Sequence, residues 1–139
     1  MKFLILFFLT ITTIFANSSK EILLLHSYNN GLKWTDGITQ GIKEILDKYP
    51  EFELTIEYMD SKKIDSQEYF DILMNLYEKK FSNRKYSVVI AADNYAYEFV
   101  LKNHKKLFDE SSVVFTGVEN FDKDFIPLEL KKYVTGVVE

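Results

Sequence analysis

The chain has 139 residues, of which 47% are hydrophobic, 16% aromatic and 27% charged, with 5 Gly, 2 Pro and no Cys. This composition fits one ordinary globular domain and excludes a disordered or collagenous chain. The lack of cysteine removes disulfides, zinc knuckles, iron–sulfur clusters, thiol nucleophiles and a lipid-anchored cysteine, and a formal net charge of −4 opposes nucleic acid as a partner.

At the N-terminus, Lys2 precedes an apolar run from Phe3 to Ala16, broken only by Thr10, Thr12 and Thr13. Residues 1–18 have the layout of a secretory signal peptide, with small residues permitting cleavage after Ala16 or after Ser18. The run is short for a membrane span, which needs roughly 20 apolar residues. An uncleaved anchor and a buried N-terminal element are the other readings, and an uncleaved segment would be the chain's sole membrane contact. Export of a Cys-free, Lys-rich chain points to a bacterial envelope or periplasm.

From Lys20 onward, strands and helices alternate. Glu21 to His26 is a continuous apolar run, as in a strand buried on both faces. Asn29-Asn30-Gly31 signals a turn. Trp34, Ile38, Ile42, Ile45, Leu46 and Tyr49 then recur at helical spacing, with Thr35 or Asp36 as cap and Pro50 as terminator. Gly37 and Gly41 give that helix a smooth edge for close approach to a sheet. Glu53 to Met59 alternates like a strand near a sheet edge. Asp65 and Glu68 form a capping-box pattern before a helix carrying Tyr69, Ile72, Leu73, Leu76 and Phe81.

Ser87 to Ala92 is the most strand-like run, and Asp93-Asn94 can cap a third helix with Ala96, Phe99, Val100 and Leu107 inward. Ser112 to Val118 reads as strand four. An Asp-rich connector runs from Glu119 to Asp124 and lacks the spaced glycine and final glutamate of a calcium loop. Pro127 and a short basic turn follow, then Tyr133 to Val138 as strand five. The pattern predicts an α/β fold, a doubly wound and mainly parallel five-stranded sheet with helices on both faces.

In such sheets, ligands bind beyond the carboxyl ends of the strands. That rule selects His26-Ser27-Tyr28, Met59-Asp60-Ser61, Ala92-Asp93-Asn94 and Gly117 to Asn120. Trp34, Tyr28 and Tyr58 can form an aromatic wall or belong to the core. His26 reads equally as a ligand donor and as a satisfied structural histidine. His104, flanked by Lys102, Lys105 and Lys106, reads as part of a solvated helix face. Asp93 occupies the place of the phospho-accepting aspartate in receiver domains, but His26 and Ser27 stand where a receiver needs an acidic pair for Mg²⁺. No nucleophile elbow, dinucleotide fingerprint or P-loop pattern occurs. His26, Asp60 and Asp93 as acid–base groups therefore lack a nucleophile–base signature, and neither an enzyme nor a cofactor or metal is expected.

Several motifs in matching order carry a family resemblance. They are Leu23-Leu24-Leu25-His26-Ser27-Tyr28, Trp34-Thr35-Asp36-Gly37-Ile38, Tyr58-Met59-Asp60-Ser61-Lys62, Ile90-Ala91-Ala92-Asp93-Asn94, Val114-Phe115-Thr116-Gly117-Val118 and Val134-Thr135-Gly136-Val137. Together they resemble the first lobe of the ABC-transporter substrate-binding-protein-like family, the type I periplasmic binding fold. The closest variant is the extracytoplasmic sensor domain of bacterial histidine kinases and diguanylate cyclases. The resemblance implies a clamshell closing on a small-molecule solute, an amino acid or related compound, with pocket positions at Ser27, Tyr28, Asp60, Asp93, Asn94, Gly117 and Asn120. Trp34 joins these from the aromatic reading. On this expectation residues 20–139 are lobe one of a non-catalytic binding protein, a fragment whose second lobe lies elsewhere. Its partners would be an ABC permease or, for a sensor, downstream signalling domains.

Overall fold

The computed structural model describes residues 20–136. The expected signal or anchor segment, and residues Val137 and Val138 of the expected last strand, lie outside them. Five strands alternate with three helices: β1 Lys20–His26, α1 Lys33–Leu46, β2 Phe52–Tyr58, α2 Gln67–Phe81, β3 Tyr86–Ala92, α3 Asp93–Leu107, β4 Ser112–Thr116 and β5 Val134–Gly136. Two short 3₁₀ turns, Lys123–Phe125 and Leu128–Leu130, lie between β4 and β5. All pairings are parallel, in the order β2-β1-β3-β4-β5. β2 lies at an edge, as its alternating sequence predicts, and the chain reverses direction of winding between β1 and β3.

The register aligns the strand ends. His26 pairs with Tyr58 on one side and with Ala92 on the other, and Ala92 pairs with Thr116. Four strands therefore finish level at one edge. Side chains alternate across the sheet with a period of two. Leu23 and Leu25 of β1, Val89 and Ala91 of β3, and Val113 and Phe115 of β4 share one face. There they join Leu73, Tyr77 and Phe81 of α2 and Ala96, Phe99 and Val100 of α3 in a single buried cluster. Ile22, Leu24 and His26 point to the opposite face, where α1 packs against β2. Gly136 is held tightly: a Cβ there would sit 2.5 Å from the Phe115 ring.

Helix boundaries depart from the sequence reading. The N-cap of α1 is Leu32, and the Asp36 carboxylate accepts from Gly31 N (2.9 Å). That helix stops at Leu46, short of Pro50. Neither Gly37 nor Gly41 approaches the sheet. Both are exposed, and added Cβ atoms would meet nothing within 4 Å, because the inward face is built from Thr35, Thr39, Ile42 and Leu46. The cap of α2 is Ser66 rather than Asp65, its hydroxyl accepting from Tyr69 N (3.2 Å). β4 ends at Thr116, two residues early, because Gly117 turns the chain with φ +67°.

Candidate functional site at the carboxyl edge of the sheet

The loops leaving β2, β3 and β4 share a backbone feature. Asp60 (φ 52°), Asp93 (φ 70°), Gly117 (φ 67°) and Asn120 (φ 53°) all adopt left-handed conformations. Glycine does this freely, and Asp and Asn are the side-chain-bearing types that best tolerate it. Each such turn redirects the chain sharply at the strand end. The side chains of neighbouring loops are brought together at the β1/β3 reversal.

The centre of this edge is a bond between residues 59 apart in sequence: Trp34 Nε1–H donates to Asp93 Oδ1 at 3.0 Å. Gly117 lies against both partners. A Cβ on Gly117 would stand 3.0 Å from Asp93 Oδ1 and 3.1 Å from Trp34 Cζ2, so only a residue without a side chain lets β4 approach this pair. Asp93 is buried, whereas Trp34 keeps 47% of its surface exposed. Trp34 is thus neither core nor sealed pocket wall but an open platform fixed by its indole.

Asp93 does not serve as the expected helix cap. The N-cap of α3 is Ala92, without a side-chain bond. The Ser27 hydroxyl takes over the role, accepting from Ala96 N (2.8 Å) while donating to the Ala92 carbonyl (2.8 Å). Ser27 is fully buried, and its carbonyl receives both the amide (2.9 Å) and the hydroxyl (2.5 Å) of Ser61. Ser27 holds the three loops together and does not face solvent. Asn94 clamps the β4 loop, donating Nδ2–H to the Glu119 carbonyl (3.1 Å) and accepting from Glu119 N (2.9 Å) at Oδ1. Asn120 is exposed next to this clamp. Asp60, half-buried, faces Lys63 at 3.6 Å.

No protein-family model, curated protein or solved structure matches the chain. The geometry alone distributes the candidate residues. The expected aromatic wall is split: Trp34 goes to Asp93, Tyr28 lies under the Lys62 ammonium at 5.5 Å, and Tyr58 stacks on His26 with ring centroids 5.3 Å apart. Burial, followed by the charges of Asp93 and Glu119 and by Tyr95, pushes the Tyr28 hydroxyl above its ordinary pKa. These groups therefore sit within electrostatic reach of one another.

His26 is completely buried, and its Nε2 lies 2.8 Å from Thr39 Oγ1. The Thr39 hydroxyl donates its proton to the Thr35 carbonyl (3.0 Å), so His26 Nε2 must be the donor and Nδ1 carries the lone pair. Burial lowers the His26 pKa to about 4 against the opposing charge of Asp36. It is a neutral structural histidine. His104 is also buried, contrary to the solvated-face reading, with Nε2 2.9 Å from the Ser111 carbonyl. Its signal was positional: four residues after Val100 and seven after Tyr97, it continues their buried stripe. Among the described residues no group of three or more His, Asp or Glu side chains could hold a metal ion, and no helix is long and apolar enough to cross a membrane.

Proposed function

We propose that this chain is the first lobe of an exported, non-catalytic solute-binding protein of the ABC substrate-binding type. Its carboxyl edge would supply half of a cleft for a small solute. The observation that carries the reading is the Trp34–Asp93–Gly117 cluster at the strand-order reversal, where doubly wound sheets take their ligands. Supporting it, two of the side chains that could have acted as nucleophile or base are committed elsewhere. The Ser27 hydroxyl is used twice in joining loops, and His26 is buried against Thr39. The exposed groups at the edge are an indole, a phenol, amides and carboxylates, which suit recognition. In this reading a facing lobe closes over the edge by hinge motion, and the bound state is passed to an ABC permease.

The test is backbone amide NMR of the full chain during titration with amino acids, organic cations, carboxylates and sugars. Saturable shifts are expected at Tyr28, Trp34, Asn94, Gly117 and Asn120, with α2 and the amino ends of the strands unmoved. Silence at the carboxyl edge across the whole panel would overturn the proposal.

A further inference from the structure

We propose that the Asn30–Gly31 peptide is a site of spontaneous deamidation, a reaction that needs no solute, second lobe or partner, and that two side chains set its rate: Asn29 promotes it and Asp36 restrains it. Asn30–Gly31 is the only Asn–Gly pair in the sequence, and both residues are exposed in the loop between β1 and α1. Glycine puts no side chain beside its own nitrogen, so that nitrogen is open to the preceding side chain. Gly31 turns with φ +86°, a conformation that favours glycine at this position and so retains the labile pair.

The Gly31 nitrogen, after giving its proton to hydroxide, attacks Asn30 Cγ. A C–N bond forms, the side-chain nitrogen takes a proton from water and leaves as ammonia, and a cyclic imide remains. Water then opens the imide at either carbonyl and leaves aspartate or isoaspartate at position 30. The attacking nitrogen anion shares its charge with the Asn30 carbonyl oxygen. Asn29 Nδ2–H donates to that oxygen at 2.7 Å and so stabilises the anion. On the other side of the same peptide group, Gly31 N–H donates to Asp36 Oδ1 at 2.9 Å. This bond keeps the proton on nitrogen and sets a negative charge beside the place where the anion forms. The other asparagines of the edge lack this arrangement. Asn94 and Asn120 precede the bulky Tyr95 and Phe121, and both polar atoms of the Asn94 side chain bond Glu119.

Conversion changes the loop between Tyr28 and Trp34. Either product adds a negative charge near Asp36, and isoaspartate also lengthens the backbone by a methylene at the peptide that Asp36 holds. The experiment incubates the full chain, kept in an uncharged detergent, in mildly alkaline buffer and follows the tryptic peptide Glu21–Lys33 by chromatography and mass spectrometry. That peptide contains Asn29 and Asn30 and no other side-chain amide, and fragmentation assigns the converted residue. Asp36 lies outside it, so wild type and Asp36 variants yield the same peptide.

Conversion at Asn30 to a mixture of aspartate and isoaspartate is expected in the wild-type chain. Asp36→Ala should speed it roughly two- to fivefold, the worth of an exposed contact to a charge. Asp36→Asn, which keeps an acceptor for Gly31 but loses the charge, should fall between the two. Asn29→Ala should slow it about twofold, through the loss of one exposed hydrogen bond to the developing anion. In urea these contacts are gone, and wild type and Asp36→Ala should convert at the same rate. The single tryptophan reports folding: a Trp34 indole resonance at its wild-type position shows that a variant is intact, and should Asp36→Ala unfold, Asp36→Asn decides. No conversion at Asn30, conversion chiefly at Asn29, equal or slower conversion in the folded Asp36 variants, or the same acceleration in urea would each overturn the proposal and leave the solute reading untouched.

Discussion

The two faces of the sheet are drawn from the same strands and are filled very differently. One face lies under α2 and α3 in a continuous cluster containing Tyr77, Phe81, Phe99 and Phe108. Among the described residues the other carries α1 alone, whose only fully buried residue is Thr35, and Val88, Ile90 and Val114 on that face are only half-buried. The difference separates two tasks. The filled face fixes the register that brings the strand ends level, and the sparsely covered face supplies the groups reaching the edge, Trp34 and Thr39 from α1 and His26 from β1.

Neighbouring leucines of β1 put that division to its strongest test. Leu24 and Leu25 are both fully buried but point to opposite faces. Leu25→Ala should cost about 3–5 kcal/mol, because close-packed surroundings on the α2–α3 face relax little around a cavity. Leu24→Ala should cost less, about 2 kcal/mol, since α1 has few other contacts and can settle into the space. Urea unfolding of the two variants measures the gap. Equal losses would mean that α1 is held as firmly as α2 and α3.

The next effect belongs to the α1 face and depends on pH. Burial holds His26 at about 4 in the folded chain, whereas in the unfolded chain it titrates near its ordinary 6.5. Between these values the unfolded state binds the extra proton. Stability is therefore complete above about pH 6.5 and declines as the pH falls toward 4. The loss expected from this residue is about 3 kcal/mol. The groups facing it are Asp36, which opposes the shift, the uncharged Thr39 from α1, and the Tyr58 ring. In His26→Gln, whose amide can still donate to Thr39, this part of the pH dependence should vanish. An unchanged slope in that variant would assign the acid sensitivity to other groups.

The sheet was readable because every strand is a short apolar or alternating run bounded by turn residues, and the strand-end rule then selected the loops that the register sets side by side. Left-handed turns at Asp60, Asp93 and Asn120 were also within reach of sequence reasoning, since Asp and Asn at a strand end are the types that accept them. The roles within the site were not. Nothing local tells that Trp34 bonds Asp93 rather than stacking on Tyr28 or Tyr58, or that Ser27 and not Asp93 caps α3. Those outcomes depend on which loops the register sets side by side. Caps shifted by a residue or two, as from Asp65 to Ser66, for the same reason: the first turn selects whichever side chain its backbone geometry can reach. His104 was misread for a different cause. Its lysine neighbours describe the adjacent helix faces, while its own face is set by its spacing from Val100.

The smallest expected effect bears on whether the faces truly differ. Trp34, Ile38, Gly41 and Ile45 fall within one narrow sector of α1 at 100° per residue, to the side of the sector that meets the sheet. Ile45 in that stripe is 58% exposed. A side chain so placed contributes little burial, and Ile45→Ser should change unfolding stability by less than about 0.5 kcal/mol. If instead the change exceeds about 1 kcal/mol, Ile45 is covered in solution, and the outer stripe of α1 is part of a packed surface rather than a free flank. Repeating the measurement over a range of protein concentrations separates the two ways this could arise. A loss that grows with concentration comes from contact between copies, because only an intermolecular contact obeys mass action. A loss independent of concentration means that the chain itself covers the stripe, and the asymmetry between the faces would then be smaller than the packing of α1 implies.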